Sequence, residues 1–328
     1  MTTNAIRGAN ILITGGAGFV GSFLVEELLP YQPANIYILD NLFRGSYENM
    51  RGFLDHPAVE FIHDDIRHQE VVDRYMAKSE YCFHLAALRI NACAADPQAG
   101  YDVMIHGTFH VIDSAKRHGI KKLIYSSSAS IYGLAQHFPT PETDHPYDNQ
   151  TFYGAAKLFG EQLLRSYSAM YGLNYIALRY FNIYGPRMDT DGKYTEVMIK
   201  WLDCIRENRP PLIYGDGSTT MDFVHVQDVA RANVLALLSE QTDETCNIAC
   251  ERETSLKELL DLLLSLNHSS LQPEYRPENT VNPVTRRLGR IEKAAKLLGY
   301  TPTIPLEQGL EDLSEWYFAK KGRATHIS

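Results

Sequence analysis

A short strand, a glycine-rich turn and a helix come one after another at the N-terminus, and they constrain the fold more than any other feature. The apolar run Asn10–Thr14 predicts a buried strand. Gly15, Gly18 and Gly21 come directly after it and open an amphipathic segment that predicts a helix ending at Pro30. A glycine triplet alone is also typical of an ordinary strand–helix turn, so its meaning depends on the neighbouring segments of the chain.

A second apolar run at 36–39 ends in Asp40, about 20 residues after the glycines. Strand, glycines, helix, strand and terminal acid in this order predict a unit that binds a dinucleotide. The glycines let the backbone approach a pyrophosphate, and the N-terminus of the helix offers N–H groups to it. A carboxylate at Asp40 would accept hydrogen bonds from ribose hydroxyls and repel a 2′-phosphate, so we expect NAD rather than NADP.

Strand-like and helix-like segments alternate along the next part of the chain. Four more apolar runs predict strands, and three segments with helical periodicity lie between or after them: 59–62, 81–85, 123–125 and 175–180, and 68–77, 98–118 and 152–171. This alternation predicts an α/β fold with a doubly wound parallel (Rossmann) sheet. Ligands bind beyond the carboxyl ends of such strands, where Asp65, Ser128 and Asn182 fall.

The pattern changes after Asn182, where prolines and glycines break the chain into short pieces. A helix near 226–238 and a strand at 246–249 are expected to return to the main sheet, and 255–266 predicts another helix. We therefore expect an NAD-binding domain at 1–182, joined by about 222–249. Residues 183–221 and 250–328 are expected to form a smaller, interleaved substrate-binding lobe.

Composition limits the classes of function. The chain has 328 residues and a net charge of −9, which argues against a nucleic-acid partner because duplex binding needs a basic face. Its apolar runs are shorter than the roughly 20 residues of a membrane span. The N-terminus has no apolar signal core, so a cytoplasmic location is expected. Five scattered cysteines and twelve histidines show no ligand-like spacing, and we expect no metal site.

Tyr153 and Lys157 stand one helical turn apart in the predicted helix at 152–171. A free phenol has a pKa of ~10, and a lysine on the same helix face favours the phenolate. The same spacing is common on solvated helices. Together with the glycine loop and the serines at 126–128, it indicates a site that moves a proton and a hydride.

Ordered motifs along nearly the whole chain resemble those of the extended short-chain dehydrogenase/reductases, in the NAD-dependent sugar epimerase/dehydratase family, and specifically its UDP-glucose 4-epimerase-like members. They are TGGAGFVGS at 14–22, DDI at 64–66, HLAA at 84–87, YSSSASIYG at 125–133, YGAAK at 153–157, RYFNIYGPR at 179–187 and GDGSTTMDFVHVQDVARA at 215–232.

The resemblance implies a role for each catalytic residue. Ser128 would bind the reacting sugar hydroxyl, Tyr153 would take its proton, and Lys157 would hold the nicotinamide ribose. Hydride would pass to NAD, leaving a bound ketone. The ketone would then rotate to present its opposite face before the hydride returns to it. The residues implied to bind NAD are Gly15, Gly18, Phe19, Val20, Gly21, Asp40, Asn41, Arg44, Asp65, Ile66, Leu85, Ala86, Ala87, Ser126, Tyr153, Lys157 and Tyr180.

In proteins that this chain resembles, the two residues after the catalytic serine distinguish which reaction is catalysed. Sugar dehydratases place Asp and Glu there, decarboxylases place Glu second, and enzymes acting at carbons 3 and 5 often place Cys second. This chain has Ala129 and Ser130, which offer no acid at neutral pH. The resemblance therefore favours a nucleotide-sugar 4-epimerase of polysaccharide biosynthesis. A dehydrogenase or reductase that releases its NADH, and a non-catalytic NAD-binding regulatory protein, remain alternatives.

The expected substrate side differs from the family pattern at two places. Met221 and Thr280 stand where arginines usually meet the nucleotide pyrophosphate. One of Arg286 and Arg287, with Arg187 as the reserve, is expected to compensate. The full set of expected substrate contacts is Arg89, Ser128, Tyr153, Asn182, Arg187, Tyr214, Arg286 and Arg287.

A homodimer is also expected. The family resemblance suggests that the helices at 98–118 and 152–171 pair with those of a second copy as a four-helix bundle. Both segments carry apolar residues beyond one stripe, which favours burial on two faces.

Overall fold

The computed structural model describes residues 5–145, 148–190, 196–277 and 284–324. Its strands are β1 (Asn10–Thr14), β2 (Asn35–Asp40), β3 (Val59–His63), β4 (Tyr81–His84), β5 (Lys122–Ser128), β6 (Tyr175–Tyr180), β7 (Asn182–Tyr184), β8 (Leu212–Tyr214), β9 (Thr220–His225), β10 (Glu244–Ile248), β11 (Glu253–Ser255) and β12 (Glu274–Arg276).

The helices surround these strands. They are α1 (Phe19–Leu28), α2 (Tyr47–Met50), α3 (Gln69–Met76), α4 (Ile90–Ala95), α5 (Pro97–Gly100), α6 (Thr108–Arg117), α7 (Phe152–Tyr171), α8 (Val197–Arg206), α9 (Val226–Leu238), α10 (Leu256–Leu266), α11 (Glu292–Leu298) and α12 (Leu306–Ala324). The predicted helix at 98–118 is more complex than expected, because a π-helical stretch, Tyr101–Gly107, joins α5 to α6.

A seven-stranded sheet in the order β10-β6-β5-β4-β1-β2-β3 organises the described chain, and all of its neighbours are parallel. Strand order reverses between β1 and β4, which confirms the expected doubly wound α/β fold. Ile11 and Ile13 pack into one core cluster and Leu12 into another. Alternate side chains therefore bury on opposite faces, as expected for a sheet covered by helices on both sides.

A third core cluster is built from residues between Tyr184 and Tyr317, chiefly on α8, α10 and α12. Two small sheets, β11-β9-β7 and β12-β8, accompany it. Helix α9 returns to pack against α1, and β10 joins the main sheet beside β6. The domain boundaries expected from the sequence stay a prediction.

No helix in the described ranges is long and apolar enough to cross a membrane. Within those same ranges, His, Cys, Asp and Glu side chains form no cluster of three that could hold a metal ion.

Candidate active site

A cavity of about 770 Å³ opens at the carboxyl ends of the main-sheet strands. Every residue expected to bind NAD lines it, from Gly15 in the glycine loop to Tyr180 at the end of β6. The strand order explains this convergence, because β1 and β4 are adjacent where the chain changes direction across the sheet. The fold thus brings the cofactor residues together although they span more than half of the chain.

The glycine loop has the geometry that a phosphate cradle requires. Gly15 has φ +75°, and a Cβ placed there would lie 2.7 Å from the backbone N of Ala86. A Cβ at Gly21 would lie 2.3 Å from the carbonyl oxygen of Gly15. Side chains at these two positions would push the loop away from β4 and α1 away from the loop. Since α1 begins at Phe19, and Phe19, Val20 and Gly21 line the cavity, the first N–H groups of this helix lie at the cavity wall.

Asp40 lies beside the glycine loop and also lines the cavity. Its carboxylate is buried and accepts hydrogen bonds from the backbone N–H groups of Ala17 (3.1 Å) and Leu42 (2.8 Å). Burial raises the pKa of Asp40, and these two N–H donors oppose the rise. Asn41 donates to Asp65 at 2.6 Å, so the next strand end is tied to the same edge. The acid is therefore held in place beside the loop, where ribose hydroxyls would reach it.

Ser128, Tyr153 and Lys157 meet at the other end of the cavity. Ser128 is the last residue of β5, and a hydrogen bond joins it to the Tyr153 phenol. The Nζ of Lys157 lies 5.8 Å from the centre of the Tyr153 ring and donates to the carbonyl oxygen of Ser126 at 2.6 Å. Thr151 caps α7 by accepting from the N–H of Gly154, which fixes where this helix starts. The predicted trio is thus brought together.

Burial shifts the pKa of the two ionisable members of this trio. It raises the pKa of Tyr153, while the hydrogen bond with Ser128 and the charges of Arg89 and Arg44 act in the opposite direction. Burial also lowers the pKa of Lys157 to about 8, and the charge of Glu161 opposes this fall. The protein surroundings thus raise the pKa of the phenol overall, and the expected effect of Lys157 on Tyr153 stays a prediction.

The arginines expected to contact the substrate are held by ion pairs or by hydrogen bonds within the protein. Arg89 pairs with Glu196 at 3.0 Å and Arg187 pairs with Glu26 at 2.6 Å, and both arginines line the cavity. Arg287 also lines it; its side chain is only 8% exposed and donates to the carbonyl oxygen of Ala129 at 2.6 Å. Burial lowers the pKa of Arg287 to about 10, which still leaves it charged at neutral pH.

Two of the expected substrate residues are not brought to this cavity. Tyr214 ends β8 with half of its surface exposed, and Arg286 forms a paired contact with Glu253 at 2.7 and 2.8 Å. Met221, in contrast, does line the cavity. Thr280, the other position expected to lack an arginine, lies outside the described residues.

The structure also shows site residues that sequence reasoning did not select. Asp189 pairs with Arg44 at 3.2 Å, and Glu196 pairs with Arg89, across the cavity. No local sequence pattern joins partners more than 100 residues apart. Glu161 had a visible signal, because it is an acid one turn after Lys157 on the buried stripe of α7.

The chain is similar to a known protein family. Residues 11–249 match the NAD dependent epimerase/dehydratase family. The UDP-glucose 4-epimerase of Mycolicibacterium smegmatis is 32% identical, over 93% of this chain and 97% of that protein. A UDP-N-acetyl-alpha-D-glucosaminuronate decarboxylase of Bacillus cytotoxicus is 30% identical, over 93% and 97%.

A solved structure of UDP-glucose 4-epimerase from Thermotoga maritima, with UDP-glucose, is 33% identical. It superimposes with a TM-score of 0.89, covering 95% of this chain and 99% of that one. The chain therefore belongs to the NAD-dependent epimerase/dehydratase family, and its cofactor is NAD.

Proposed function

We propose that this protein is a nucleotide-sugar epimerase that inverts carbon 4 of a UDP-hexose-type sugar through a transient ketone. The observation that carries the proposal is the meeting of Ser128, Tyr153 and Lys157 beside the cofactor cradle, in one cavity. The 4-epimerases among its relatives support the same reaction.

The cofactor cradle would hold NAD by its two ends. The glycine loop and α1 would take the pyrophosphate, Asp40 would accept the adenosine ribose hydroxyls, and Lys157 would reach the nicotinamide ribose. When bound, NAD supplies a hydride acceptor and a positively charged ring near the phenol. That added charge would oppose the effect of burial on the pKa of Tyr153.

The residues of this chain would then handle the proton. Ser128 would donate to or accept from the hydroxyl at carbon 4 and so orient it toward Tyr153. The phenolate oxygen of Tyr153 would take the hydroxyl proton as the carbonyl forms, and would return it to the opposite epimer. Lys157, fixed by the carbonyl of Ser126, would stabilise the phenolate by its charge.

The turn after Ser128 favours epimerisation over dehydration or decarboxylation. Ala129 is buried and has no ionisable group, and Ser130 donates its backbone N–H to the Ser128 hydroxyl at 3.1 Å. Elimination of water or loss of carbon dioxide from the ketone needs a further acid or base near the sugar ring. Neither residue supplies one, so oxidation and re-reduction are what this turn permits.

Arg287 is the cation that would meet the substrate's phosphates in place of the arginine replaced by Met221. It lies in the cavity with Met221, while its neighbour Arg286 is engaged with Glu253 outside it. Arg187 is the reserve, although Glu26 already neutralises it and its guanidinium lies 4.4 Å from the centre of the Phe23 ring.

A solvent-isotope experiment tests the reaction. Purified protein would be incubated with UDP-glucose, UDP-N-acetylglucosamine and UDP-glucuronic acid in deuterated buffer, and the products monitored by NMR. The 4-epimer without deuterium on carbon supports the proposal. Three other outcomes would each show that the protein catalyses a different reaction: deuterium at carbon 3 or 5, loss of carbon dioxide, or stoichiometric release of NADH. Tyr153→Phe serves as the inactive control.

A further inference from the structure

A phenol, an ammonium group and a carboxylate follow one another along α7. Tyr153, Lys157 and Glu161 stand at intervals of four residues, which places them on the same helix face. Lys157 is 2% exposed and Glu161 is 3% exposed. Glu161 does not line the cavity, so its carboxylate is buried behind the catalytic pair rather than beside a substrate.

Glu161 joins α7 to two strands at once. Its carboxylate accepts hydrogen bonds from the Ser127 hydroxyl and, at 2.9 and 2.7 Å, from both sides of the Arg179 guanidinium. Ser127 on β5 and Arg179 on β6 are direct partners in the parallel register. One carboxylate therefore locks the helix onto a pair of neighbouring strand residues.

The contact between Glu161 and Ser127 lies between the groups that carry the proposed chemistry. Ser126, which accepts the hydrogen bond of Lys157, precedes Ser127, and Ser128 comes after it. Gly160 lets the helix come close at this level, because a Cβ there would lie 2.3 Å from the Tyr125 hydroxyl oxygen. Any sliding of α7 along β5 would change the distances between Tyr153, Lys157 and Ser128 together.

Arg179 extends the network to the turn after Ser128. Its Nη1 donates to the hydroxyl oxygen of Tyr132 at 2.8 Å and to the carbonyl oxygen of Glu142 at 3.0 Å. Tyr132 in turn donates to the side-chain oxygen of Asn247 at 2.7 Å. The turn Ala129–Tyr132 is thus anchored by the same buried cation that holds Glu161.

Burying this ion pair brings little stability by itself. The cost of removing both charges from water is close to their mutual attraction, so well-packed apolar residues would often stabilise the fold as well. A fully hydrogen-bonded buried pair does, however, restrict the geometry of the elements that it joins.

We propose that Glu161, held by Arg179 and Ser127, is a positioning residue for the Tyr153–Lys157 pair, and that it fixes the register of α7 against β5 on which proton transfer depends. The proposal rests on the proposed function for the identity of the proton transfer, but not for the geometry. The negative charge of the Glu161 carboxylate also supports the protonated form of Lys157.

The test replaces the pair as a unit. Glu161→Gln alone would leave Arg179 buried without its partner, so the double variant Glu161→Gln/Arg179→Met avoids an unpaired buried charge. The control is Asp228→Asn/Arg231→Met, which removes another ion pair (2.8 Å) with a fully buried acid, outside the cavity. Thermal unfolding and NAD titration would first establish that each variant is folded and binds its cofactor.

Two readouts separate positioning from a purely structural role. The first is kcat with the UDP-sugar that the wild type inverts, which should fall on the order of tenfold to a hundredfold in the double variant while KM holds. The second is the titration of Tyr153 in the NAD-loaded protein, measured as the absorbance difference from the matching Tyr153→Phe protein. It should move to higher pH, because a displaced α7 would weaken the hydrogen bond between Ser128 and Tyr153, which lowers the pKa of the phenol.

Unchanged kcat and an unchanged Tyr153 titration, with a melting temperature lowered as in the control, would overturn the proposal. If the double variant does not fold, Ser127→Ala removes one bond to Glu161, and a smaller shift in the same direction supports the proposal while no shift overturns it. If the wild type inverts no UDP-sugar, the proposed function fails, and the tyrosine titration still decides the role of Glu161.

Discussion

The carboxylate of Asp40 accepts a hydrogen bond from the backbone N–H of Ala17 at 3.1 Å, so the acid that ends β2 is fixed to the glycine loop. The residue expected to select the cofactor is therefore joined directly to the loop expected to bind its phosphates. Gly45 is packed against the same carboxylate, since a Cβ there would lie 2.8 Å from Asp40 Oδ1.

We expect NAD to bind more tightly than NADP, because Asp40 would accept hydrogen bonds from the ribose hydroxyls and would repel a 2′-phosphate. Asp40→Asn should weaken NAD binding and reduce the preference, since the amide carries no charge. Titration calorimetry with both cofactors measures this. Asp55→Asn, an exposed acid at another surface, controls for net charge. Equal affinity of the wild type for the two cofactors would contradict the role of Asp40.

Tyr153→Phe is expected to leave the fold and NAD binding intact while turnover falls ~10²–10⁴-fold, the usual effect of removing a positioned acid–base group. The phenyl ring keeps the packing of the tyrosine and removes only its hydroxyl. Epimerisation assays measure the loss of turnover, and NAD titration of the same preparation measures whether cofactor binding is unchanged. A variant that retains near-full activity would assign the proton transfer to another group.

Much of this arrangement can be predicted from the sequence. Apolar runs place β1, β2, β4 and β6 to within a residue or two, and helix α9 lies where its periodicity predicts it. Local pattern suffices there because burial in a parallel sheet and on its covering helices sets the residue type at every position. The glycines and Asp40 are identifiable because their chemistry depends on fixed local spacing.

Other parts depend on contacts that no local pattern contains. The π-helical stretch Tyr101–Gly107 has the same apolar periodicity as a regular helix, so the sequence predicts one continuous helix there. The strands β8 and β12 have three residues each, too few for alternation to appear. The pair Arg44–Asp189 joins residues that only the folded chain brings together.

Stability is expected to fall in acid because of His84. Its ring is buried between the hydroxyls of Thr14 (2.7 Å) and Thr108 (3.1 Å), and burial, together with the smaller effect of the Lys157 charge, lowers its pKa to about 3. In the unfolded chain, the His84 ring has the ordinary histidine pKa of about 6.5. The contribution of neutral His84 is therefore complete above about pH 6.5 and lost as the pH falls toward 3.

Urea unfolding of the wild type and His84→Gln at pH 7.5 and pH 5 measures this effect. The variant should lose less stability between the two pH values, by at most about 2 kcal/mol, given about 1.4 kcal/mol per pH unit below pH 6.5. The exposed His56→Gln is the comparison variant. Equal losses in the wild type and His84→Gln would show that His84 does not couple folding to protonation.

A homodimer through the helices at 98–118 and 152–171 stays a prediction, and the burial pattern gives it a test. Val111 and Leu164 are fully buried in the protein's own core, whereas Phe109 is 39% exposed and Met170 is 68% exposed. Light scattering at micromolar concentration should give the dimer mass. Phe109→Glu should shift the mass toward the monomer, because it places a charge in an apolar interface.

Tyr47→Glu makes the same change in charge at an exposed aromatic residue on α2, away from both helices, and should leave the mass unchanged. A monomeric wild type would rule out the dimer, and loss of the dimer in both variants would place the interface elsewhere.

Arg287→Ala should raise KM for a UDP-sugar by roughly tenfold or more while kcat changes less, as expected when binding common to the ground and transition states is lost. A substrate pyrophosphate enclosed in this cavity needs charged donors, and Met221 offers none. Arg286→Ala is a close comparison, since it removes the neighbouring arginine, which pairs with Glu253 outside the cavity. Steady-state kinetics on both variants measure the difference. If Arg286→Ala raises KM as much as Arg287→Ala, the cation that meets the phosphates is not the buried one. UDP-sugar binding could also be normal in all three single variants, Arg187→Ala, Arg286→Ala and Arg287→Ala. In that case a sugar without a nucleotide becomes the better hypothesis for the substrate.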